Sequence, residues 1–171
     1  MPEPFTIRPA VADDIPAITA IYEHYVLTHP ATFEVEPPDA VEMAARMEKI
    51  VVAQLPYFVA EQDSRVIGYC YVTPYRPRVA YRHTVENSVY VAHDAVAGGI
   101  GSKLMAKVME ECARQGYREI IAVIGDSANE PSIRLHRKAG FVHIGTLRNV
   151  GLKFGRWLDT VIMQKTLSAS D

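Results

Sequence analysis

Cysteine is scarce in this sequence, with two in 171 residues, Cys70 and Cys112. Both sit among apolar neighbours and lack CxxC spacing. A secreted disulfide framework and the common zinc arrangements are therefore excluded, and each reads as a small buried hydrophobe. The six histidines lack metal-ligand spacing, so no metal is expected. No apolar run approaches the ~18 residues of a membrane span. The opening Met1-Pro2-Glu3-Pro4-Phe5 has neither the basic region nor the apolar stretch of a signal peptide. A cytoplasmic protein without a membrane partner is the expectation.

What is present is ordinary globular material. The chain is 49% hydrophobic and 22% charged, a balance that argues against wholesale disorder. The length supports one core without staples. The net charge of -2 averages two unlike halves. Residues 1–75 carry 4 Lys/Arg and 11 Asp/Glu, and residues 76–171 carry 14 and 9. A basic half so mild, with acids interspersed, does not make a nucleic-acid surface. It suits a small polyanionic ligand, or is simply a solvated surface.

Periodicity sets the element order. Phe5 to Arg8 alternates as a short strand. Asp13-Asp14 and Pro16 start a helix whose stripe is Ile15, Ile18, Ile21, Tyr22 and Tyr25. Asp39-Ala40-Val41-Glu42 has capping-box spacing ahead of Met43, Met47, Ile50 and Val51. Strands are expected at Tyr57–Ala60, Val66–Thr73 and Thr84–Val91. In the last of these Val85, Asn87, Val89 and Val91 face one way, and Glu86, Ser88 and Tyr90 the other. Ile100, Leu104, Val108 and Cys112 stripe a long helix that Gly116 ends. Ile120 to Ile124 reads as a strand buried on both faces. A short helix from about Asn129 to Lys138 and two last strands, Phe141–Leu147 and Trp157–Lys165, complete the chain. The order is β-α-α-β-β-β-α-β-α-β-β, one mixed α/β domain.

The most informative segment is Val89-Tyr90-Val91 running through Gly98-Gly99-Ile100-Gly101-Ser102 into a helix. Glycines at a helix N-terminus leave backbone N–H groups free and aim the positive dipole end at a phosphate. No glycine here precedes a lysine, so a Walker loop is excluded. Gly99-x-Gly101 is followed by Leu104, which breaks the Rossmann pattern. A pyrophosphate loop for coenzyme A remains, beside a plain strand-to-helix turn.

Four segments carry a resemblance. They are His83-Thr84-Val85-Glu86-Asn87-Ser88-Val89-Tyr90-Val91, Gly99-Ile100-Gly101, Asn129-Glu130-Pro131-Ser132-Ile133-Arg134-Leu135-His136-Arg137-Lys138-Ala139-Gly140-Phe141, and Phe154-Gly155-Arg156-Trp157-Leu158-Asp159. In this order they resemble the GNAT N-acetyltransferase superfamily from about Phe5 to Leu167. Within it they are most similar to the phosphinothricin and methionine sulfoximine acetyltransferase subgroup. The resemblance implies a single GNAT-type α/β (α+β) domain over residues 1–171, with a mixed twisted sheet flanked by helices. The loop departs from the family's Arg/Gln-x-x-Gly-x-Gly/Ala pattern at Val96, which implies weaker coenzyme A binding at most.

By that resemblance the donor is acetyl-CoA and the acceptor is the amine of a small amino acid or analogue. Val89, Tyr90 and Val91 border the pantetheine arm, and Val91 N–H is the expected oxyanion donor. Ala97, Gly98, Gly99, Ile100, Gly101 and Ser102 hold the pyrophosphate, and Asn129 bonds the arm or simply caps its helix. Glu86 occupies the base position, though alone it reads as a solvent-facing strand glutamate. His136 is either the acid for the leaving thiolate or a structural histidine. Val79, Ala80 and Tyr81 match the acceptor stretch, with Arg78 or Arg82 for a carboxylate. Phe33 and Glu34 are further acceptor candidates. Trp157 is expected in the core or an interface, and a homodimer is implied. Two rivals stay open: acetylation of protein N-termini or lysines, and a non-catalytic acetyl-CoA-binding module.

Overall fold

A computed structural model describes residues 4–95 and 98–167. Seven strands and four helices follow the expected order: β1 Thr6–Pro9, α1 Ile15–Thr28, α2 Ala40–Val52, β2 Tyr57–Gln62, β3 Arg65–Pro74, β4 Thr84–Val91, α3 Ile100–Arg114, β5 Glu119–Gly125, α4 Glu130–Lys138, β6 Val142–Lys153 and β7 Arg156–Thr166. Single 3-10 turns at Ala12–Asp14 and Val79–Tyr81 add to this. The strands form one sheet in the order β1-β2-β3-β4-β5-β7-β6. Every neighbouring pair is antiparallel except β4–β5. That single parallel pair has α3 as its crossover.

The helices sit where their caps and stripes put them. Asp39 Oδ1 accepts from Glu42 N–H at 2.9 Å to start α2. In α3, Ile100, Leu104, Val108 and Cys112 are all buried, and fully burying a side chain the size of Leu104 contributes ~2 kcal/mol. The helix ends at Gly116, φ 88°, where Tyr117 N–H bonds back to Cys112 C=O at 3.0 Å. Cys70 and Cys112 are free thiols inside the core, and burial pushes the Cys112 thiol up to about 12.

Three expectations change. β6 continues to Lys153 instead of stopping near Leu147. Its pairing with β7 is irregular between Leu147 and Gly151, and Asn149 sits there at φ 55°, so the alternation that marks a strand is broken. Phe154 and Gly155, at φ 55° and 70°, make the tight hairpin turn. Trp157 is 64% exposed and so is not core. Val123 is 38% exposed, because β5 loses a neighbour at that point.

Candidate active site

β4 and β5 pair only from Thr84 opposite Glu119 to Asn87 opposite Ala122. Beyond that rung β4 stays with β3 as far as Val91 opposite Gly68, and β5 stays with β7 as far as Gly125 opposite Thr160. The sheet therefore splits into two halves that open a cleft of about 520 Å³. Ser88 to Val91 form one wall and Val123 to Gly125 the other. The α3 N-terminus closes one end, with Asn129, Ser132, Leu135 and His136 of α4 alongside.

Strand parity decides which backbone groups face the opening. Tyr75 N–H donates to Thr84 C=O at 3.2 Å, and Ala92 N–H to Ile67 C=O at 2.8 Å. The even positions of β4 are thus the hydrogen-bonded partners of β3, and the odd positions aim N–H and C=O the other way. β5 lies opposite Val85 and Asn87 but not Val89 and Val91. The Tyr25 hydroxyl donates to the Val91 carbonyl. The N–H groups of Val89 and Val91 and the C=O of Val89 present an open strand edge to the cleft.

At the α3 end, Gly98 and Gly99 have φ of 99° and 74°, a backbone that L side chains rarely adopt. The first intrahelical bond runs from Lys103 N–H to Gly99 C=O at 3.0 Å. The N–H groups of Ile100, Gly101 and Ser102 precede it and have no helical acceptor. Gly99, Ile100, Gly101 and Ser102 line the cleft; Gly98 is exposed beside it. Ala97, expected in this loop, and Val96 lie outside the described residues.

Two more expected residues belong to α4 and its N-cap. Asn129 is buried, and its side-chain oxygen accepts from Ser132 N–H at 3.4 Å, capping the helix at the cleft wall. His136 is 3% exposed. Its Nδ1 lies 2.7 Å from Ser132 C=O, and its Nε2 3.2 Å from Asn87 Nδ2. A carbonyl only accepts, so Nδ1 carries the hydrogen and Nε2 accepts from the Asn87 amide. Burial pushes this imidazole below its usual range, and both ring nitrogens are engaged.

Glu86 projects from the other side of β4. It does not line the cleft. It shares the even face with Ser88 and Tyr90, whose ring packs 5.3 Å from Tyr22 and 5.4 Å from Tyr25. Half-burial raises its carboxyl, and the nearby Arg76 guanidinium opposes the rise. Burial also raises the Tyr71 and Tyr90 phenols, so both stay neutral donors at pH 7. Tyr22 hydroxyl donates to Glu34 at 2.8 Å, and Arg46 ion-pairs with Glu34.

The remaining acceptor candidates do not line the cleft. Val79, Ala80 and Tyr81 form the exposed 3-10 turn, with Arg78 before it and Arg82 after it donating to Val79 C=O at 3.2 Å. Tyr81 packs edge-on against Tyr75, and Arg76 lies over the Tyr75 ring at 5.0 Å. Phe33 is drawn away by packing on β6, where a Cβ at Gly151 would meet its ring at 2.5 Å. Spacing alone could not reveal Tyr25, His29 or Gly125 as cleft residues, since all three come from the cleft's tertiary closure. The sequence did place Asn87 on the same side of β4 as Val89 and Val91. Among the described residues no cluster of three His, Cys, Asp or Glu could hold a metal ion, and no helix is long and apolar enough to cross a membrane.

Comparison with known proteins matches this geometry. The family model "Acetyltransferase (GNAT) domain" covers residues 7–162. A phosphinothricin N-acetyltransferase of Alcaligenes faecalis is 52% identical over 97% of this chain and 84% of its own length. An L-methionine sulfoximine/L-methionine sulfone acetyltransferase of Salmonella typhimurium is 40% identical over 95% of this chain and 94% of its own. A crystal structure of a Sinorhizobium meliloti phosphinothricin acetyltransferase with acetyl-CoA superposes with a TM-score of 0.93 at 44% identity, over 96% of this chain and 89% of that one. A sheet parted after one short parallel pairing, with a glycine-started helix at its mouth, and a family match across nearly the whole chain agree: this protein belongs to the GNAT acetyltransferase family and is an N-acetyltransferase.

Proposed function

We propose that the protein transfers an acetyl group from acetyl-CoA to the amino group of a small amino acid or analogue of the phosphinothricin or methionine sulfoximine type. The observation that carries the proposal is the unpaired β4 edge leading to the α3 N-terminus. The acetyl donor carries a diphosphate and an amide-bearing arm. Three free N–H groups, of Ile100, Gly101 and Ser102, fit the first, and the Val89–Val91 edge fits the second. The names of the relatives supply the acceptor class.

Each residue has a role in that reading. With the diphosphate at α3, the arm's far end lies down β4 from Val91 toward Asn87. The oxyanion donor expected at Val91 then moves to Val89 N–H, one rung deeper, where it strengthens as negative charge develops on the thioester oxygen. Glu86 takes a proton from the incoming ammonium through water, since its carboxylate remains well below an amine in pKa. Arg76, Arg78 and Arg82 offer charge to the acceptor's acid group above the Val79-Ala80-Tyr81 turn. His136 does not serve as the acid. A thiol titrates near ~8.5, so a thiolate leaves at neutral pH without obligatory protonation.

Thiol release with acetyl-CoA, measured across free amino acids, their analogues and short peptides, tests this. Release with phosphinothricin, methionine sulfoximine or methionine sulfone, and little with peptides, is expected. A preference for peptides would favour the protein-acetylating rival. Coenzyme A binding with no release from any amine would favour the non-catalytic module.

We place the enzyme in the cytoplasm as a homodimer. β6 is an edge strand of 12 residues and exposes Val142, Ile144, Leu147, Val150 and Leu152, with Trp157 beside them. An uncovered apolar edge of that length invites a second copy. Light scattering should give twice the chain mass, and Leu152→Lys should halve it; a monomeric parent would contradict the assembly.

A further inference from the structure

Asn87 holds the vertex of the cleft, at the last rung where β4 and β5 pair. It is 6% exposed and lines the cavity. Its Oδ1 is buried without a hydrogen-bond partner among the described residues. Its orientation is not arbitrary. Ser132 C=O fixes the hydrogen on His136 Nδ1, the bare Nε2 then demands a donor, and the Asn87 NH₂ supplies it at 3.2 Å. The amide cannot flip without setting its carbonyl against the Nε2 lone pair. An orphaned acceptor at the vertex of a binding cleft is the kind of group a ligand donor satisfies.

We infer that Asn87 Oδ1 accepts a hydrogen bond from an amide N–H of the pantetheine arm, and that His136 is the positioning residue that keeps this oxygen turned toward the cleft. The inference rests on the coenzyme A reading above. The arm is the occupant because Asn87 lies two residues below Val89, on the line from the α3 N-terminus down the open edge. Glu86, which meets the acceptor amine in our reading, projects to the opposite side of β4 and does not line the cleft. Acetylation leaves the arm's amide groups unchanged, so Asn87 holds coenzyme A and acetyl-CoA alike.

Calorimetric titration of the intact protein separates the two readings. If wild type fails to bind coenzyme A, the coenzyme A reading itself falls. If it binds, Asn87→Leu, which keeps the heavy-atom branching without polar atoms, should weaken both coenzyme A and acetyl-CoA by about tenfold. Binding of 3′-phospho-ADP, which lacks the arm, should be unchanged; this also shows that the variant is folded. His136→Phe keeps the edge-on packing with Phe141 at 5.0 Å and should raise KM for acetyl-CoA several-fold with kcat within about threefold. The double variant should be no worse than Asn87→Leu alone, because one interaction is lost in both. Undiminished coenzyme A affinity in Asn87→Leu, a parallel loss for 3′-phospho-ADP, additive effects, or a fall in kcat at constant KM for His136→Phe would each overturn the assignment.

Discussion

Glu86→Gln should lower kcat by about 10²–10⁴-fold, the range expected for loss of a general base. The affinity for coenzyme A should not change, because the side chain leaves β4 on the face away from the cleft. The pH profile gives a second, independent signature. Half-burial raises the Glu86 carboxyl above its ordinary value of 4.5, with Arg76 pulling the other way. A base works only when deprotonated, so kcat/KM should fall with acid along a limb lying above the ordinary carboxylate range. That limb should vanish in the glutamine variant. Neutralising Arg76 removes the opposing charge, and Arg76→Gln should shift the limb further toward neutral pH. Wild-type kcat in Glu86→Gln would remove Glu86 from the reaction.

Gly125→Ala should be strongly destabilising for a single added methyl. A Cβ there would stand 2.1 Å from Pro30 O and 3.2 Å from Ala31 C. Both are backbone atoms, so no side chain can swing aside. The loop they belong to is pinned by Lys153, buried at 3% exposure, whose Nζ donates to His29 C=O and Thr32 C=O at 2.8 Å each. β5 or the loop has to move, at ~3 kcal/mol, which is ~6–12 °C in Tm for a chain of this size. The same loop carries His29 and Ala31 of the cleft and leads into Glu34, so activity should fall further than stability explains. Gly145→Ala is the control. A Cβ there meets nothing within 4 Å, and Tm should stay within about 1–2 °C. Equal behaviour of the two variants in thermal melts would refute the close approach.

These two expectations differ in how far the sequence foretold them. Glu86 was legible: the alternation of Thr84 to Val91 already set it opposite Asn87, and the resemblance supplied its role. The α3 stripe and the Gly98-Gly99 turn were equally plain, because both are local patterns of 3.6-residue period or backbone chirality. Gly125 was not legible. Nothing in the run from Ile120 to Gly125 signals that Pro30, from a distant loop, crosses its end. Lys153 is a further case, since a lysine near a hairpin turn reads as solvated until the carbonyls of His29 and Thr32 appear around it. The strand break at Asn149 hid the second half of β6 for a related reason, because a bulge destroys the period-2 signal while keeping the pairing.

His136 shows where a resemblance needs the geometry. Its place on α4 admitted either an acid or a structural role. The choice turns on contacts made through space, to Asn87 on β4 and to the Ser132 carbonyl one turn back. The charge asymmetry also takes a narrower meaning. The cleft draws most of its lining from the basic half of the chain, yet the groups placed for the diphosphate are backbone amides of Ile100, Gly101 and Ser102.

The central claim is that this cleft acetylates the amino nitrogen of a small amino acid. The most direct test is to incubate the enzyme with acetyl-CoA and phosphinothricin or methionine sulfoximine and to identify the product by NMR while counting free thiol. The account predicts one acetyl group on the amino nitrogen for each thiol released. Tight coenzyme A binding with no acetylated small amine, or acetylation confined to peptide amines, would contradict it.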